Sequence, residues 1–214
     1  MRASFVFIFY MRGEGSMADH YYTNDPSSKR DPKTWEYVLR GQTLRFTSDH
    51  GVFSKNGIDF GSRLLIEAFT EPAVAGDILD VGCGYGPMGI ALSKSTGRPA
   101  HLIDVNERAL ELAADNARAN GVSVTTGVSD GYDGVGESTF AAIVTNPPIR
   151  AGKTVVHRIL REAYDHLVVG GELWVVIQKK QGGPSAKKLM EDVFGMCETV
   201  TRDKGYSIFK SIRS

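Results

Sequence analysis

The chain has 214 residues, of which 42% are hydrophobic and 23% charged, a composition that excludes general disorder and fits one folded domain. Its 25 basic and 25 acidic residues cancel, so any nucleic-acid partner must be bound by a local basic patch. The two cysteines and five histidines form neither a disulfide framework nor a metal-ligand spacing, which predicts a cytoplasmic protein without a bound metal.

The first sixteen residues differ in character from the rest of the chain. Residues 3–10 are apolar but too few to span a bilayer, and no small-residue cleavage site follows them cleanly. Residues 12–15 require purine-rich codons, which could include a ribosome-binding sequence just before Met17. We therefore expect residues 1–16 to be a leader or a misassigned start, the alternative being a genuine extension. Residues 17–214 are expected to form a single domain, with an N-terminal arm and hairpin over 17–50.

Hydrophobic patterning predicts strands that alternate with helices. Residues 35–39 and 43–47 flank a Gly-Gln pair and predict a hairpin. Helices are predicted over 62–69, 88–95, 107–120, 154–167 and 185–194. Strands are predicted over 78–81, 101–104, 122–124, 140–145, 173–177, 198–202 and 206–212. This order predicts a doubly wound, mostly parallel, seven-stranded Rossmann-like α/β sheet with an antiparallel C-terminal hairpin at one edge.

A glycine-rich loop follows the first strand of this predicted sheet. Gly82, Gly84 and Gly86 allow the backbone to turn tightly and to approach a ligand closely. Asp80 precedes the loop and is placed to accept hydrogen bonds from loop amides or water. Asp104 ends the next strand, where a carboxylate can bind both hydroxyls of a ribose. The loop and the acid together indicate a cofactor that contains a nucleoside.

Two cofactors are compatible with this loop, a dinucleotide and S-adenosyl-L-methionine. A dinucleotide needs free amides at the helix N-terminus to bind its pyrophosphate. Pro87 begins the helix and removes one of these N–H groups, so the sequence favours S-adenosyl-L-methionine. Asp130 follows the third strand and could accept from an adenine amino group, although Asp130-Gly131 also suits an ordinary turn.

A second motif, Asn146-Pro147-Pro148, follows the apolar strand over 140–145. Proline lacks an N–H and forces the preceding residue to be extended, which predicts a rigid turn at the sheet edge where α/β proteins bind ligands. The Asn146 side chain and the Pro147 carbonyl would there accept from both N–H groups of an exocyclic amine and aim its lone pair at an incoming methyl group. The alternative is a turn in which the asparagine only caps a loop.

These motifs, in this order, resemble those of class I S-adenosylmethionine-dependent methyltransferases. Residues 145–153, with 51–54 and 59–62, are similar to the methyltransferase-small group, which includes ribosomal small-subunit RNA guanine-N2 methyltransferases. The resemblance covers residues 17–214. It implies that the glycine loop, Asp104 and Asp130 bind the cofactor and that Asn146, Pro147 and Pro148 present the amine. Guanine N2 of ribosomal RNA is the implied substrate, and ribosomal RNA or a ribosomal subunit the implied partner.

The chain departs from this group in two ways. The group usually has an aromatic residue after the prolines to stack on the base, whereas this chain has Ile149. We expect the base to be held by apolar contact with Ile149 or by another aromatic residue, Phe53. Two-domain members also carry a second, N-terminal copy of the fold, so this chain is expected to correspond to their catalytic half.

Basic residues follow the Asn-Pro-Pro motif. Arg150 and Lys153 could contact phosphates that flank a flipped nucleotide. The basic residues on the helix over 154–167 are expected to form a solvated face. A loop near the same sheet edge carries four lysines, for which RNA contact and ordinary solubility are equally compatible: Lys179, Lys180, Lys187 and Lys188.

Three other functions are compatible with parts of this sequence. A protein glutamine N5-methyltransferase would hold an amide nitrogen with the same Asn-Pro-Pro turn, although the basic loops favour RNA. An NAD-dependent oxidoreductase is disfavoured by Pro87, by the Asn-Pro-Pro motif and by the lack of a suitable proton donor. A cofactor-binding RNA module without catalysis would be distinguished by an Asn146→Ala variant.

Overall fold

The computed structural model of the protein describes residues 31–49 and 57–214. The predictions made for residues 1–16, for the arm up to residue 30 and for Phe53 lie outside these ranges. Within the described ranges, none of the helices has the length and apolar character needed to cross a membrane.

A short antiparallel hairpin precedes the main sheet, as the sequence predicts. It consists of two strands, β1 (Lys33–Leu39) and β2 (Gln42–Ser48). The chain reverses at Arg40 and Gly41, whose φ angles of 50° and 73° are typical of a two-residue hairpin turn. The Arg40 guanidinium donates to the carbonyls of Ile66 and Phe69, and these bonds attach the hairpin to the main domain.

Seven strands form the main sheet, in the spatial order β5-β4-β3-β6-β7-β9-β8. They are β3 (Ile78–Val81), β4 (Ala100–Asp104), β5 (Val124–Val128), β6 (Phe140–Thr145), β7 (Leu167–Gln178), β8 (Glu198–Asp203) and β9 (Tyr206–Ile212). The first five are parallel, whereas β9 is antiparallel to both β7 and β8. The predicted sheet and its antiparallel edge hairpin are confirmed.

Helices cover both faces of the sheet. They are α1 (Phe60–Ala68), α2 (Pro87–Thr96), α3 (Glu107–Ala119), α4 (Lys153–Glu162) and α5 (Gly183–Phe194). One hydrophobic cluster packs the hairpin and α1 to α3 against one face, and a second packs α4 and α5 against the other. Along β7, Trp174 and Val176 belong to the first cluster and Leu173 and Val175 to the second. This alternation is expected of a strand buried on both faces.

The strand β5 begins later than predicted, at Val124 rather than at residue 122. The cause lies at the end of α3, where Gly121 has a φ of 61° and the Val122 N–H donates to the Ala117 carbonyl at 3.0 Å. A left-handed glycine commonly ends a helix in this way. Val122 therefore closes the helix end instead of pairing with β4.

The helix α4 is shorter than predicted, because it ends at Glu162 and Leu167 already belongs to β7. The Gly170-Gly171 pair, which falls between the predicted helix over 154–167 and the predicted strand over 173–177, lies inside β7. Gly170 N–H donates to the Arg213 carbonyl at 2.7 Å, and Arg213 N–H donates to the Gly171 carbonyl at 2.9 Å. Pairing with Arg213, just beyond β9, thus holds both glycines in the sheet. Such a long-range contact cannot be recognised from the sequence pattern around the glycines.

Three motifs meet at one edge of the sheet. The parallel strands β3, β4 and β6 end there at Val81, Asp104 and Thr145. β7 ends there at Gln178, which pairs with Tyr206, the first residue of β9. The edge therefore brings together the glycine loop, the Asn-Pro-Pro turn and the β8–β9 turn, where open α/β sheets bind ligands.

Candidate functional site

The glycine loop after β3 contains an open cradle. Gly82, Gly84 and Gly86 have φ angles of 72°, 56° and 87°, in the left-handed region that other residues rarely adopt. A Cβ atom at Gly82 or Gly84 would meet nothing within 4 Å, so both face space that a ligand can fill. At Gly86 a Cβ would lie 2.9 Å from Ile90 Cδ1, so this glycine serves the packing of α2 instead.

Asp80, in β3, is hydrogen-bonded to the helix that follows the glycine loop. Its Oδ2 accepts from the Gly89 N–H in α2 at 2.8 Å, and its Oδ1 is buried with no hydrogen-bond partner among the described residues. The pKa of Asp80 is raised to about 7, first by burial and also by the nearby Asp104 carboxylate, while the bond from Gly89 opposes the shift. Asp80 therefore supplies a buried acceptor that a bound ligand or water can use.

Asp104 lies directly against the cradle. Its Oδ2 accepts from the Gly84 N–H at 2.9 Å and its Oδ1 accepts from the Asn106 N–H at 2.9 Å. Burial raises the pKa of the Asp104 carboxyl, and the hydrogen bonds from Asn106, Gly84 and Val105 oppose the change. Each carboxylate oxygen keeps a lone pair for a further donor, which is the requirement for binding ribose hydroxyls.

Asp130 lies on the surface beyond β5, and its carboxylate forms an ion pair with Arg158 of α4. This arginine is one of the basic residues of the helix predicted over 154–167, which the sequence indicates as a solvated face. The neighbouring Ser129 N–H donates to the Asp104 carbonyl at 3.0 Å, so the chain at Asp130 runs close to Asp104. One oxygen of the Asp130 carboxylate is already paired with Arg158. A contact between Asp130 and the adenine of the cofactor remains a prediction.

These residues fit a nucleoside cofactor. The cradle at Gly82 and Gly84 is open, Asp104 adjoins it, and Asp80 adds a buried oxygen that no residue in the described part of the chain hydrogen-bonds. Pro87 occupies the first turn of α2, where it removes an amide that a pyrophosphate would need. The site is therefore better suited to a cofactor without a pyrophosphate group.

Asn146 is held by residues from a distant part of the chain. Thr145 Oγ1 donates to the Val81 carbonyl at 2.9 Å and fixes the end of β6 against β3. Asn146 Nδ2 then donates to Asp59 Oδ1 at 3.3 Å and to Ser62 Oγ at 3.1 Å. Because a carboxylate only accepts, this contact orients the amide group and leaves Asn146 Oδ1 as a free acceptor. No described residue donates to Asn146 Oδ1.

The sequence pattern indicated no functional role for Asp59 or Ser62. Asp59 is the N-cap of α1, where its Oδ1 also accepts from the Ser62 N–H at 3.0 Å. The spacing of Asp59 and Ser62 is the ordinary signal of a helix start. That signal predicts a capped helix, but it does not reveal that the cap also holds Asn146.

The rest of the Asn-Pro-Pro turn leads into a 3₁₀ turn over Ile149–Ala151. Among the described residues, no N–H donates to the Pro147 carbonyl, whereas the Pro148 carbonyl accepts from the Ala151 N–H at 3.0 Å. Ile149 is half-buried against the cluster under α4, and Arg150 and Lys153 are exposed. The turn thus provides two free acceptors, Asn146 Oδ1 and the Pro147 carbonyl.

Comparison with known proteins identifies relatives over most of the chain. Residues 43–210 match the family described as Methyltransferase small domain. The uncharacterized protein YbxB of Bacillus subtilis (strain 168) is 53% identical over 198 residues, covering 91% of this chain and 98% of that protein. Ribosomal RNA small subunit methyltransferase C of Enterobacter sp. (strain 638) is 32% identical over 186 residues, which cover 84% of this chain. The matched segment covers 52% of that relative, so the chain spans about half of its length.

Solved structures share the fold. A T. thermophilus 16S rRNA N2 methyltransferase in complex with AdoMet and guanosine has a TM-score of 0.77 at 24% identity, covering 86% of this chain and 51% of that chain. A ribosomal protein L11 methylase from Lactobacillus delbrueckii subsp. bulgaricus has a TM-score of 0.59 at 19% identity, covering 72% of this chain and 78% of that chain. Because the family match extends from β2 into β9, the chain belongs to the Methyltransferase small domain family, whose cofactor is S-adenosylmethionine.

Proposed function

We propose that this protein methylates an exocyclic amino group of RNA, and that the substrate is guanine N2 of ribosomal RNA. The observation that carries the proposal is the orientation of Asn146. Its Nδ2 is occupied by Asp59 and Ser62, so that its Oδ1 is available beside the free Pro147 carbonyl. Two neutral acceptors suit an amine that has two N–H groups and no charge.

The residues of the site divide between two tasks. Gly82, Gly84 and Asp104 would hold the cofactor, which supplies an electrophilic methyl group on a sulfonium when bound. Asn146 Oδ1 and the Pro147 carbonyl would accept from the amine and direct its nitrogen lone pair. Proximity and orientation account for much of the rate in such a transfer. The neutral acceptors need not remove a proton first, because the amine nitrogen loses its proton after it has received the methyl group.

Ribosomal RNA is the acceptor that the relatives support. One relative is named a ribosomal RNA small subunit methyltransferase, and one solved neighbour is a 16S rRNA N2 methyltransferase with bound guanosine. We further propose that ribosomal RNA or a ribosomal subunit is the partner and that the protein acts in the cytoplasm. A protein glutamine amide would fit the same two acceptors and is the alternative to be tested.

The test is methyl transfer from labelled S-adenosylmethionine to ribosomal RNA and subunits purified from cells that lack the gene. Nucleoside mass spectrometry should detect N2-methylguanosine, and an Asn146→Ala protein should produce at least about a hundredfold less per unit time. Label that appears in a ribosomal protein instead of in RNA would favour the glutamine alternative. Label in another nucleoside would retain RNA methylation but reject guanine N2.

A further inference from the structure

Two half-buried aromatic rings lie beside the amine-binding turn. Phe60 is the first residue of α1 and follows Asp59 directly, and Tyr206 is the first residue of β9. Their ring centroids are 5.7 Å apart with an interplanar angle of 49°. The pair therefore lies at the same sheet edge as the Asn-Pro-Pro turn.

Close packing connects this pair to the residues that hold Asn146. A Cβ atom at Gly61 would lie 2.8 Å from Tyr206 Cε1 and 3.1 Å from Asp59 Oδ1. The ring edge of Tyr206 and the Asp59 carboxylate, which accepts from Asn146, therefore both lie against Gly61. Only glycine at position 61 lets the ring approach α1 this closely.

Two cations converge on the Phe60 ring. Lys204 Nζ lies 4.6 Å from the ring centroid and Arg63 Cζ lies 6.0 Å from it, within the range of cation–π contact. Both residues are exposed, and no carboxylate among the described residues is within ion-pair distance of either. Because neither cation is held in such an ion pair, both side chains are available to bind an anion such as a phosphate.

The backbone holds Lys204 in this position. Lys204 has a φ of 46°, a conformation that costs free energy for a residue with a side chain. Gly205 carbonyl accepts from the Lys179 N–H at 2.8 Å, so the β8–β9 turn is attached to the end of β7. The exposed Lys179 and Lys180 follow along the same edge.

We propose that Phe60, Tyr206, Arg63 and Lys204 form a subsite for a nucleotide that flanks the target in single-stranded RNA. The rings contact the base, and the two cations contact phosphates. Aromatic rings beside cations are the combination that binds single-stranded nucleic acid, whereas a protein ligand would not need phosphate-binding charges. The inference rests on the proposed function, since it assumes RNA as the substrate.

Equilibrium binding tests the subsite without requiring methyl transfer. The probe is a fluorescein-labelled, mixed-sequence single-stranded oligoribonucleotide of roughly ten nucleotides, followed by anisotropy across a salt series. Arg63→Ala and Lys204→Ala should each weaken binding several-fold and each reduce the salt slope by about 0.7, the value for one phosphate contact on a single strand. Arg118→Ala, which removes an exposed cation on α3, is the matched control and should leave both quantities unchanged.

The aromatic residues give a second, independent readout. Phe60→Leu and Tyr206→Leu keep every charge, so each should weaken binding by about tenfold with an unchanged salt slope. Affinity for S-adenosylhomocysteine by calorimetry and the thermal midpoint serve as controls for an intact fold. Unchanged RNA affinity in both the cation and the ring variants would overturn the subsite.

The subsite and the proposed function can fail separately. If the variants retain full RNA affinity while the wild type methylates RNA, the subsite is wrong and the function stands. If the variants lose RNA affinity while no RNA is methylated, the subsite stands as an RNA-binding surface and the proposed reaction is wrong. A wild-type protein that does not bind the oligoribonucleotide would overturn the subsite.

Discussion

Asn146 and Asp59, which are 87 positions apart in the sequence, are joined by a hydrogen bond of 3.3 Å from Nδ2 to Oδ1. The same carboxylate oxygen caps α1 by accepting from the Ser62 N–H. The α1 cap and the Asn146 amide group therefore share one acceptor, Asp59 Oδ1. This arrangement connects the geometry of the Asn-Pro-Pro turn to the start of α1.

Replacement of Asn146 by alanine should remove the free acceptor and leave the cofactor cradle intact. We expect turnover to fall by at least about a hundredfold, because the amine is no longer oriented as the reaction proceeds. Single-turnover methyl transfer gives the rate, and calorimetry with S-adenosylhomocysteine gives the cofactor affinity. Asn120→Ala, which removes an asparagine that bonds the Arg45 backbone of β2 away from the Asn-Pro-Pro turn, is the control and should keep the wild-type rate. A variant of Asn146 that keeps most of its rate would assign the amine to other groups.

Asp59 and Ser62 are predicted to act as positioning residues. Asp59→Ala should lower kcat by about tenfold with little change in cofactor affinity, and it should also cost about 1 kcal/mol of stability through the lost helix cap. Ser62→Ala keeps the capping N–H and removes only the hydroxyl that accepts from Asn146. A fall in kcat for Ser62→Ala at unchanged thermal stability would separate positioning from capping. The idea fails if Asp59→Ala loses stability but keeps its kcat.

Asp104 is predicted to bind the ribose of the cofactor. Asp104→Ala should weaken S-adenosylhomocysteine binding by about 1–3 kcal/mol, the cost of leaving hydroxyl donors unpaired. Asp133→Ala, at an exposed aspartate in the loop after β5, is the matched control and should bind normally. Calorimetry against both S-adenosylhomocysteine and NAD provides the measurement. Equal affinity for NAD would contradict the cofactor preference that Pro87 indicates.

The loop glycines are predicted to differ in their roles. Gly86→Ala should destabilise the fold by about 1–3 kcal/mol, because its Cβ would overlap Ile90 at the start of α2. Gly82→Ala places its Cβ in open space, so it should reduce cofactor affinity more than stability. Urea unfolding and calorimetry on both variants test the distinction. The assignment is wrong if Gly82→Ala is the less stable of the two and still binds the cofactor normally.

Asp80 should make stability depend on pH. Its pKa in the folded protein is about 7, above the ordinary 3.8. Between these values the folded state keeps a proton that the unfolded state has lost, so the free energy of unfolding decreases as pH rises, by up to about 1.4 kcal/mol per unit. This contribution is fully present below about pH 4 and is lost as pH rises through about 7.

Urea unfolding of the wild type and of Asp80→Asn at several pH values between about 4 and 8 isolates this effect. Asp104, whose pKa is also raised by burial, is present in both proteins, so the difference between them reports Asp80. The stability of the wild type relative to the variant should decrease with rising pH. Parallel curves for the two proteins would show that Asp80 titrates near its ordinary value.

Local patterns predicted most of the fold. Alternating apolar segments indicated the seven strands, and the helix predicted over 107–120 begins at Glu107 as expected, with the Asn106 side chain capping it by accepting from the Arg108 and Ala109 amides. The errors lie at element ends. The start of β5 depends on how Val122 closes α3, and the extent of β7 depends on pairing with Arg213. Both are decided by hydrogen bonds that propensity and periodicity do not describe.

The sequence by itself determined the glycine loop and the Asn-Pro-Pro turn, because glycine and proline restrict the backbone locally wherever they occur. Only the tertiary structure decided which side chains complete these motifs. It brings Asp59 to Asn146, pairs Asp130 with Arg158, and places Tyr206 beside Phe60. These partners lie far apart in the chain, and their contacts arise from strand order and helix packing, which no local pattern of residues contains.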